Sequence, residues 1–382
     1  MKIAVVCEGF KPYIGGAETR YTKLTEYLAR KHDVDIITLF QKTLHPEGEY
    51  VSEVESYGKV RIFRLKVSAK YFLEDGTRSL RGVKEFSKKC TELLKLNNYD
   101  IILASEWPLL HITYIRKVAN RNLVIDWHEV WGRYYWRFGL KGFAGYILEK
   151  ITAKSKGVRH IAVSSFTKER LQNILGVKDK IPVIWNGVDP AEFDNIPHID
   201  KEFGKILFFG RFAPHKGINL LVDAFKIVKK TNPMAKLYIV GDGPLRDEVI
   251  TMTSGLEDVH VHVAVPRNRL LEVIKSAWVV VIPSQREGHG ISYLEAMAAG
   301  TPVISIRSPY NAFSNMVENG EQAIVAEPEP DSLAKAINTL LHDEDLHKKL
   351  SYNGRIFASR FTWEDISLEL ETVLEDFLDD DR

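Results

Sequence analysis

Cysteine is almost missing from this 382-residue sequence: Cys7 lies in an apolar run and Cys90 in a basic helical stretch, and neither has metal-ligand spacing or a paired partner. A disulfide framework is thereby excluded. No stretch reaches 18 uncharged apolar residues, so no membrane span is expected, and the apolar run 3–7 is too short for a signal peptide. The expected location is cytoplasmic. Low-complexity tracts and short repeats are also lacking, and a composition of 45% hydrophobic and 27% charged residues excludes the signature of disorder. The dinucleotide fingerprint G-x-G-x-x-G is missing after the first apolar run, where the chain reads Gly9-Phe10-Lys11-Pro12-Tyr13-Ile14-Gly15-Gly16-Ala17-Glu18. A nicotinamide dehydrogenase loses its main support, and no nucleic-acid partner is expected.

What is present is an alternation. Short β-branched runs at 3–7, 34–39, 60–65, 100–104, 123–126 and 160–163 are separated by helix-period stretches such as 19–30 and 83–96. The pattern restarts at 206–209, 236–240, 259–263, 279–282, 302–306 and 323–325. Apolar strands spaced by helices predict parallel sheets covered on both faces, and the length exceeds what one core usually organises. Residues 189–205, with Pro190 and Pro197, read as a linker. The expected domains are an N-terminal α/β domain (1–190), a C-terminal α/β domain (191–360) and an acidic amphipathic helix (361–382) packing back on the N-terminal domain. The net charge of +1 hides an asymmetry: residues 1–190 hold 32 Lys and Arg against 21 Asp and Glu, or +11, and the rest hold 20 against 30, or −10. Either the halves attract each other, or the first meets an anionic surface.

Two parallel sheets place ligands beyond the carboxyl ends of their strands, so the loops that follow strands carry the chemistry. Residues 283–302 leave a strand, pass Gly288 and Gly290 and enter a helix ended by Gly300 and Pro302. Glycines ahead of a helix expose backbone amides to a diphosphate, and the dipole adds to the attraction. Glu287 sits in that loop and Glu295 in the helix; carboxylates at this spacing can hold the hydroxyls of a ribose and a second sugar, or serve only as a solvated loop charge and a good helix former. Gly210-Arg211-Phe212-Ala213-Pro214-His215-Lys216-Gly217 brings two cations to another strand end, suited to a phosphate or to plain solubility. Gly241-Asp242-Gly243-Pro244 turns at a third.

Together with Asn186-Gly187-Val188-Asp189 and Gly15-Gly16-Ala17-Glu18, this ordered set resembles the retaining glycosyltransferases of family 4, the glycogen-synthase-like branch. The resemblance covers essentially the whole chain. It implies the GT-B fold: α/β, two Rossmann-like domains with parallel sheets facing across a cleft. It also implies a retaining, metal-independent transfer of a sugar from a nucleotide-diphosphate donor to an acceptor hydroxyl. At matching positions Arg211 and Lys216 would neutralise the diphosphate, Glu287 would face the transferred sugar and Glu295 the ribose. Gly288, His289, Gly290 and Ile291 would complete the donor loop, while Gly15 and Gly16 would approach the phosphates from the other domain. His128, in Asp126-Trp127-His128-Glu129, matches a histidine that contacts donor sugar or acceptor; relatives often carry Asp where this chain has Glu129. Catalysis would then rest on His128, Glu287, Arg211 and Lys216. Val263 stands where relatives often have glycine, near the base pocket, and a UDP-sugar is expected ahead of a GDP-sugar. No further cofactor is expected.

Asp33-Val34-Asp35 has the Asp-x-Asp form of a metal site but opens a strand, at the wrong edge of a parallel sheet. The competing readings are a nucleotide-sugar epimerase or hydrolase on the same scaffold and a non-enzymatic nucleotide-sugar sensor; the latter needs neither Glu287 nor His128. Residues 131–143, dense in aromatic and basic side chains, suit a membrane interface, a sugar-stacking surface or core packing. The expected partners are therefore the nucleotide-sugar donor, a carbohydrate or lipid-linked acceptor and an anionic membrane surface, with peripheral attachment at the inner face of the cell membrane.

Overall fold

The computed structural model describes residues 1–13, 15–40, 54–57, 60–73, 77–119 and 122–379. Its contacts divide the chain into two units, Met1–Trp185 with Glu364–Arg382, and Asn186–Trp363. Among the described residues the first unit holds β1 (Lys2–Val6), β2 (Asp33–Leu39), β3 (Val54–Tyr57), β4 (Val60–Leu65), β5 (Ile101–Ser105), β6 (Leu123–Trp127) and β7 (Val158–Ala162). They lie in the order β3-β4-β2-β1-β5-β6-β7, parallel throughout except β3 against β4. Ile3 pairs with Val34 on one side and Ile101 on the other, so β1 is central. Its residues Ile3 to Val6 are fully buried, which explains why the run is apolar without alternation.

In the second unit come β8 (Glu202–Phe209), β9 (Lys236–Val240), β10 (Val259–His262), β11 (Ala277–Val281), β12 (Arg286–Glu287), β13 (Val303–Ile306), β14 (Tyr310–Asn311) and β15 (Ile324–Ala326). Six of them form a parallel sheet in the order β10-β9-β8-β11-β13-β15, and β12 pairs separately with β14. Each unit has its own core, built around Phe86, Ile112 and Trp127 in the first and Phe208, Leu221 and Ile304 in the second. The strand order reverses between β1 and β5 and between β8 and β11, which is where a doubly wound sheet opens a crevice at its carboxyl edge.

Every strand expected from the sequence is present, with ends shifted by at most two residues except at β8, which begins four residues earlier than expected. The sequence missed β3, β12 and β14. The linker reading of 189–205 requires correction: Pro190–Asp194 is helical and β8 begins at Glu202. The chain joins the second unit at Asn186 because its backbone is already bonded there, Asn186 N donating to His289 Nδ1 at 3.1 Å and Val188 N to the Phe361 carbonyl at 2.7 Å. At the other end, helix Trp363–Asp379 returns to the first unit, where Glu371 accepts from Lys31 at 3.0 Å and His32 at 2.8 Å. Among the described residues no helix is long and apolar enough to cross a membrane.

Candidate active site

In the second unit, three strand-end loops meet because glycine lets them. A Cβ on Gly241 (φ +156°) would fall 1.9 Å from the Gly210 carbonyl, and one on Gly217 (φ +68°) would fall 2.2 Å from the Pro283 carbonyl. Any side chain at either position would push the loops after β8, β9 and β11 apart. Held in this way, Lys216 on the first loop reaches Glu287 on the third, Nζ to Oε1 at 2.5 Å, with both side chains largely buried. The backbone of Glu287 is fixed by β14, whose successor Ala312 donates to its carbonyl at 2.9 Å. Arg211, by contrast, is exposed, and makes no ion pair or hydrogen bond among the described residues.

The electrostatics of this corner are cationic. Burial pushes the His215 imidazole down to about 2, and the charges of Lys216, Arg286 and Arg211 push in the same direction. His215 is therefore neutral at physiological pH, and the three cations leave a positive field with Glu287 as its counter-charge. Beside it, helix Ile291–Ala298 starts after Gly290 (φ +82°), which has no side chain to cap the first-turn amides. The helix is anchored by Tyr293, which stacks on Phe313 with ring centroids 3.9 Å apart and donates to the Ile282 carbonyl at 2.8 Å. Gly210 adjoins the same helix opening, its Cβ position 3.9 Å from Ser292 Oγ.

The other expected donor residues are placed as follows. Gly288 and Ile291 flank the helix opening. His289 is turned inward, 2% exposed, its ring against Phe361 and its Nδ1 accepting from Asn186; its side chain is part of the packing of the unit. Glu295 lies one turn into the helix and is already engaged by Arg267, Nη1 to Oε1 at 2.5 Å. Arg267 also grips Glu192 through Nη2 at 2.7 Å. Neither Arg267 nor Glu192 was found from the sequence, since each stands in an ordinary charged stretch and only the fold brings them to Glu295.

In the first unit, Gly15 caps helix Gly16–Leu28 in extended backbone, and a Cβ on it would fall 2.3 Å from Glu18 Oε2, whereas Gly16 faces open space. His128 follows β6 and is held from three sides. Its Nε2 is 3.0 Å from Tyr21 Oη and 3.6 Å from Asp126 Oδ2, while its backbone N–H and that of Glu129 both donate to Glu106 Oε1 at 3.0 Å. Burial lowers the imidazole to about 4, Asp126 opposing and Arg20 reinforcing the shift, so His128 is neutral at physiological pH. Beneath it Asp126 forms a fully buried ion pair with Arg20, Nε to Oδ2 at 2.8 Å and Nη2 to Oδ1 at 3.1 Å. Burial first and Asp126 second hold the Glu106 carboxyl well above the usual range. Arg20, Tyr21 and Glu106 are a supporting layer that the sequence did not reveal. As for Asp33-Val34-Asp35, the Asp35 carboxylate is taken up by Arg61 and Tyr99 at 2.7 Å each, at the amino end of β2.

Comparison with known proteins gives these features a context. The family model for glycosyl transferases group 1 matches residues 190–357, and that for glycosyltransferase family 4 matches residues 14–192. The chain is 31% identical to an uncharacterized glycosyltransferase of Methanocaldococcus jannaschii, covering 98% of this chain and 97% of that protein. It is similar in fold to sucrose-phosphate synthase from Thermosynechococcus elongatus, with a TM-score of 0.79 at 22% identity over 98% of each chain. It also resembles Anabaena HepE in complex with UDP and glucose, with a TM-score of 0.73 at 19% identity over 98% of this chain and 99% of that one.

Proposed function

The chain belongs to the glycosyltransferases of family 4, with a fold of the GT-B class, and from that premise we propose that it moves a sugar from a UDP-sugar to an acceptor hydroxyl with retention and without a metal. The observation that carries this reading is the junction of Arg211, Lys216 and Arg286 around His215, beside Glu287 and the uncapped helix opening at Gly290. When the sugar–phosphate bond breaks, negative charge grows on the departing diphosphate; fixed cations and amide dipoles stabilise it more in the transition state than in the ground state. The anomeric carbon passes through an oxocarbenium-like state, and an acceptor oxygen arriving on the face the phosphate leaves gives retention. Glu287 faces the transferred sugar, Glu295 accepts from the ribose hydroxyls and neutral His128 offers the sugar or acceptor a hydrogen bond rather than a charge. Arg267 holds the Glu295 carboxylate in place through Oε1. UDP is favoured over GDP by the UDP held in the Anabaena protein of similar fold. The acceptor is a carbohydrate, free or lipid-linked.

A screen of UDP- and GDP-sugars against soluble and lipid-linked acceptors, read by mass, tests the proposal. A product heavier by one sugar, with its anomeric configuration conserved by NMR, is the expected outcome; donor hydrolysis alone would refute it. Glu295→Ala should weaken donor binding by about 1.5–3 kcal/mol, the cost of a lost hydrogen bond to a charged group. Calorimetry showing unchanged affinity would remove Glu295 from the ribose. Chelation should leave turnover intact, because protein cations and amides carry the leaving-group charge; activity lost to EDTA and restored by Mg²⁺ or Mn²⁺ would overturn the metal-independent step.

A further inference from the structure

The segment from Trp131 to Ala153 folds into a short 3₁₀ helix, Gly132–Phe138, followed by helix Gly139–Ala153. The two are locked together. A Cβ on Gly142 would fall 1.8 Å from the Tyr135 carbonyl, and Glu149 accepts from the backbone of Trp131 at 2.8 Å and Gly132 at 2.9 Å. The buried positions of the longer helix are Gly142, Glu149, Thr152 and Ala153. At about 100° per residue, Leu140, Phe143, Ile147 and Ile151 fall within an arc of about 80° on the opposite face. All four are exposed, Leu140 at 90% and the others between 39% and 58%, and Trp136 and Phe138 extend the patch at 61% and 52%. Among the described residues no other helix carries a comparable stripe of exposed large apolar side chains.

Within residues 132–157, apart from the buried Glu149, the charges are all of one sign. Arg133, Arg137, Lys141, Lys150, Lys154 and Lys156 surround the stripe, and the only acidic residue from 132 to 157 is Glu149, which is buried under the 3₁₀ helix. Three of these cations lie over aromatic rings, Arg133 over Trp136 at 5.7 Å, Arg137 over Tyr134 at 5.0 Å and Lys150 over Tyr146 at 5.8 Å. We infer that this face is a membrane-docking surface, lying in the headgroup plane of an anionic phospholipid bilayer with Leu140, Phe143, Ile147 and Ile151 turned into the acyl boundary. A second copy of the chain fits poorly, because a two-fold contact on this patch would bring its cations against an equal set. An anionic bilayer supplies both an apolar layer for the stripe and a counter-charge for its rim. The inference rests on this surface alone and does not depend on the donor or acceptor assignments.

Co-sedimentation of the full chain with phosphatidylcholine vesicles, with and without phosphatidylglycerol, tests it. The protein should pellet with the anionic vesicles at low salt and be released by high salt, since the attraction is screened over a Debye length of about 8–10 Å. The exposed pair Leu140→Ser and Phe143→Ser should lower the bound fraction about tenfold with an unchanged melting temperature, and Arg137→Glu with Lys141→Glu should do so mainly at low salt. Protein remaining in the supernatant with anionic vesicles at low salt overturns the inference. So does vesicle binding unaffected by both pairs, or a dimer in sedimentation equilibrium that the Leu140 and Phe143 substitutions dissociate without changing vesicle binding.

Discussion

Alanine at both Arg211 and Lys216 should slow turnover by about 10²–10³-fold, the range seen when a preorganised donor to a developing negative charge is removed. Arg211 is exposed and offers a fork, whereas Lys216 is largely buried and held by Glu287. A diphosphate bound at this corner would meet a Lys216 already held by Glu287 on the glycine-packed loops, so little reorganisation of that cation would accompany bond breaking. The loss should fall on kcat, because the interaction strengthens as the diphosphate leaves; a change confined to KM would mean that the cations bind the ground state and transition state equally. Removing Lys216 alone also leaves the Glu287 carboxylate, 9% exposed, without its counter-charge. Glu287→Gln in the Lys216→Ala background should therefore recover stability without recovering rate, separating the structural share of the pair from the catalytic share.

The second large effect is on stability. Asp126→Ala should destabilise the first unit by about 3–5 kcal/mol, the cost of leaving a buried charge uncompensated. Arg20 and Asp126 are both fully buried, and without the carboxylate the guanidinium loses its bonds from Nε at 2.8 Å and Nη2 at 3.1 Å. For a unit of this size that loss corresponds to a fall in melting temperature of roughly 10 °C. The double change Arg20→Met with Asp126→Leu should restore most of it, since apolar isosteres remove the desolvation cost together with the attraction. Thermal unfolding of the wild type, Arg20→Met, Asp126→Leu and the double variant gives the coupling energy directly; an Asp126→Ala protein that melts with the wild type would show the pair to be dispensable. Because His128 Nε2 lies 3.6 Å from Asp126 Oδ2, the double change should still impair transfer where His128 contacts substrate.

The sequence by itself determined the two α/β units, since burial on both faces of a parallel sheet demands uninterrupted apolar runs such as 3–7 and 206–209, and helices must separate them. It also pointed to the strand-end loops as the candidate site, because glycines and charges collect where parallel strands end, and the structure brings the loops after β8, β9 and β11 together. The two-residue strand at Glu287 stayed hidden because so short a pairing has no period. β3, antiparallel to β4, lay outside the parallel pattern that guided the reading. Only tertiary structure decided the partners: that Lys216 meets Glu287 across 71 positions of sequence, that Arg267 holds Glu295, and that Arg20 lies beneath His128 against Asp126 across 106. Such pairs join charges from separate elements, and a lone Arg or Glu in a helix looks the same whether solvated or buried. The structure likewise separated two roles within one aromatic and basic segment. Tyr135 and Glu149 went inward because Gly142 lets the helix press against the 3₁₀ turn, and that rotation turned Leu140, Phe143, Ile147 and Ile151 outward.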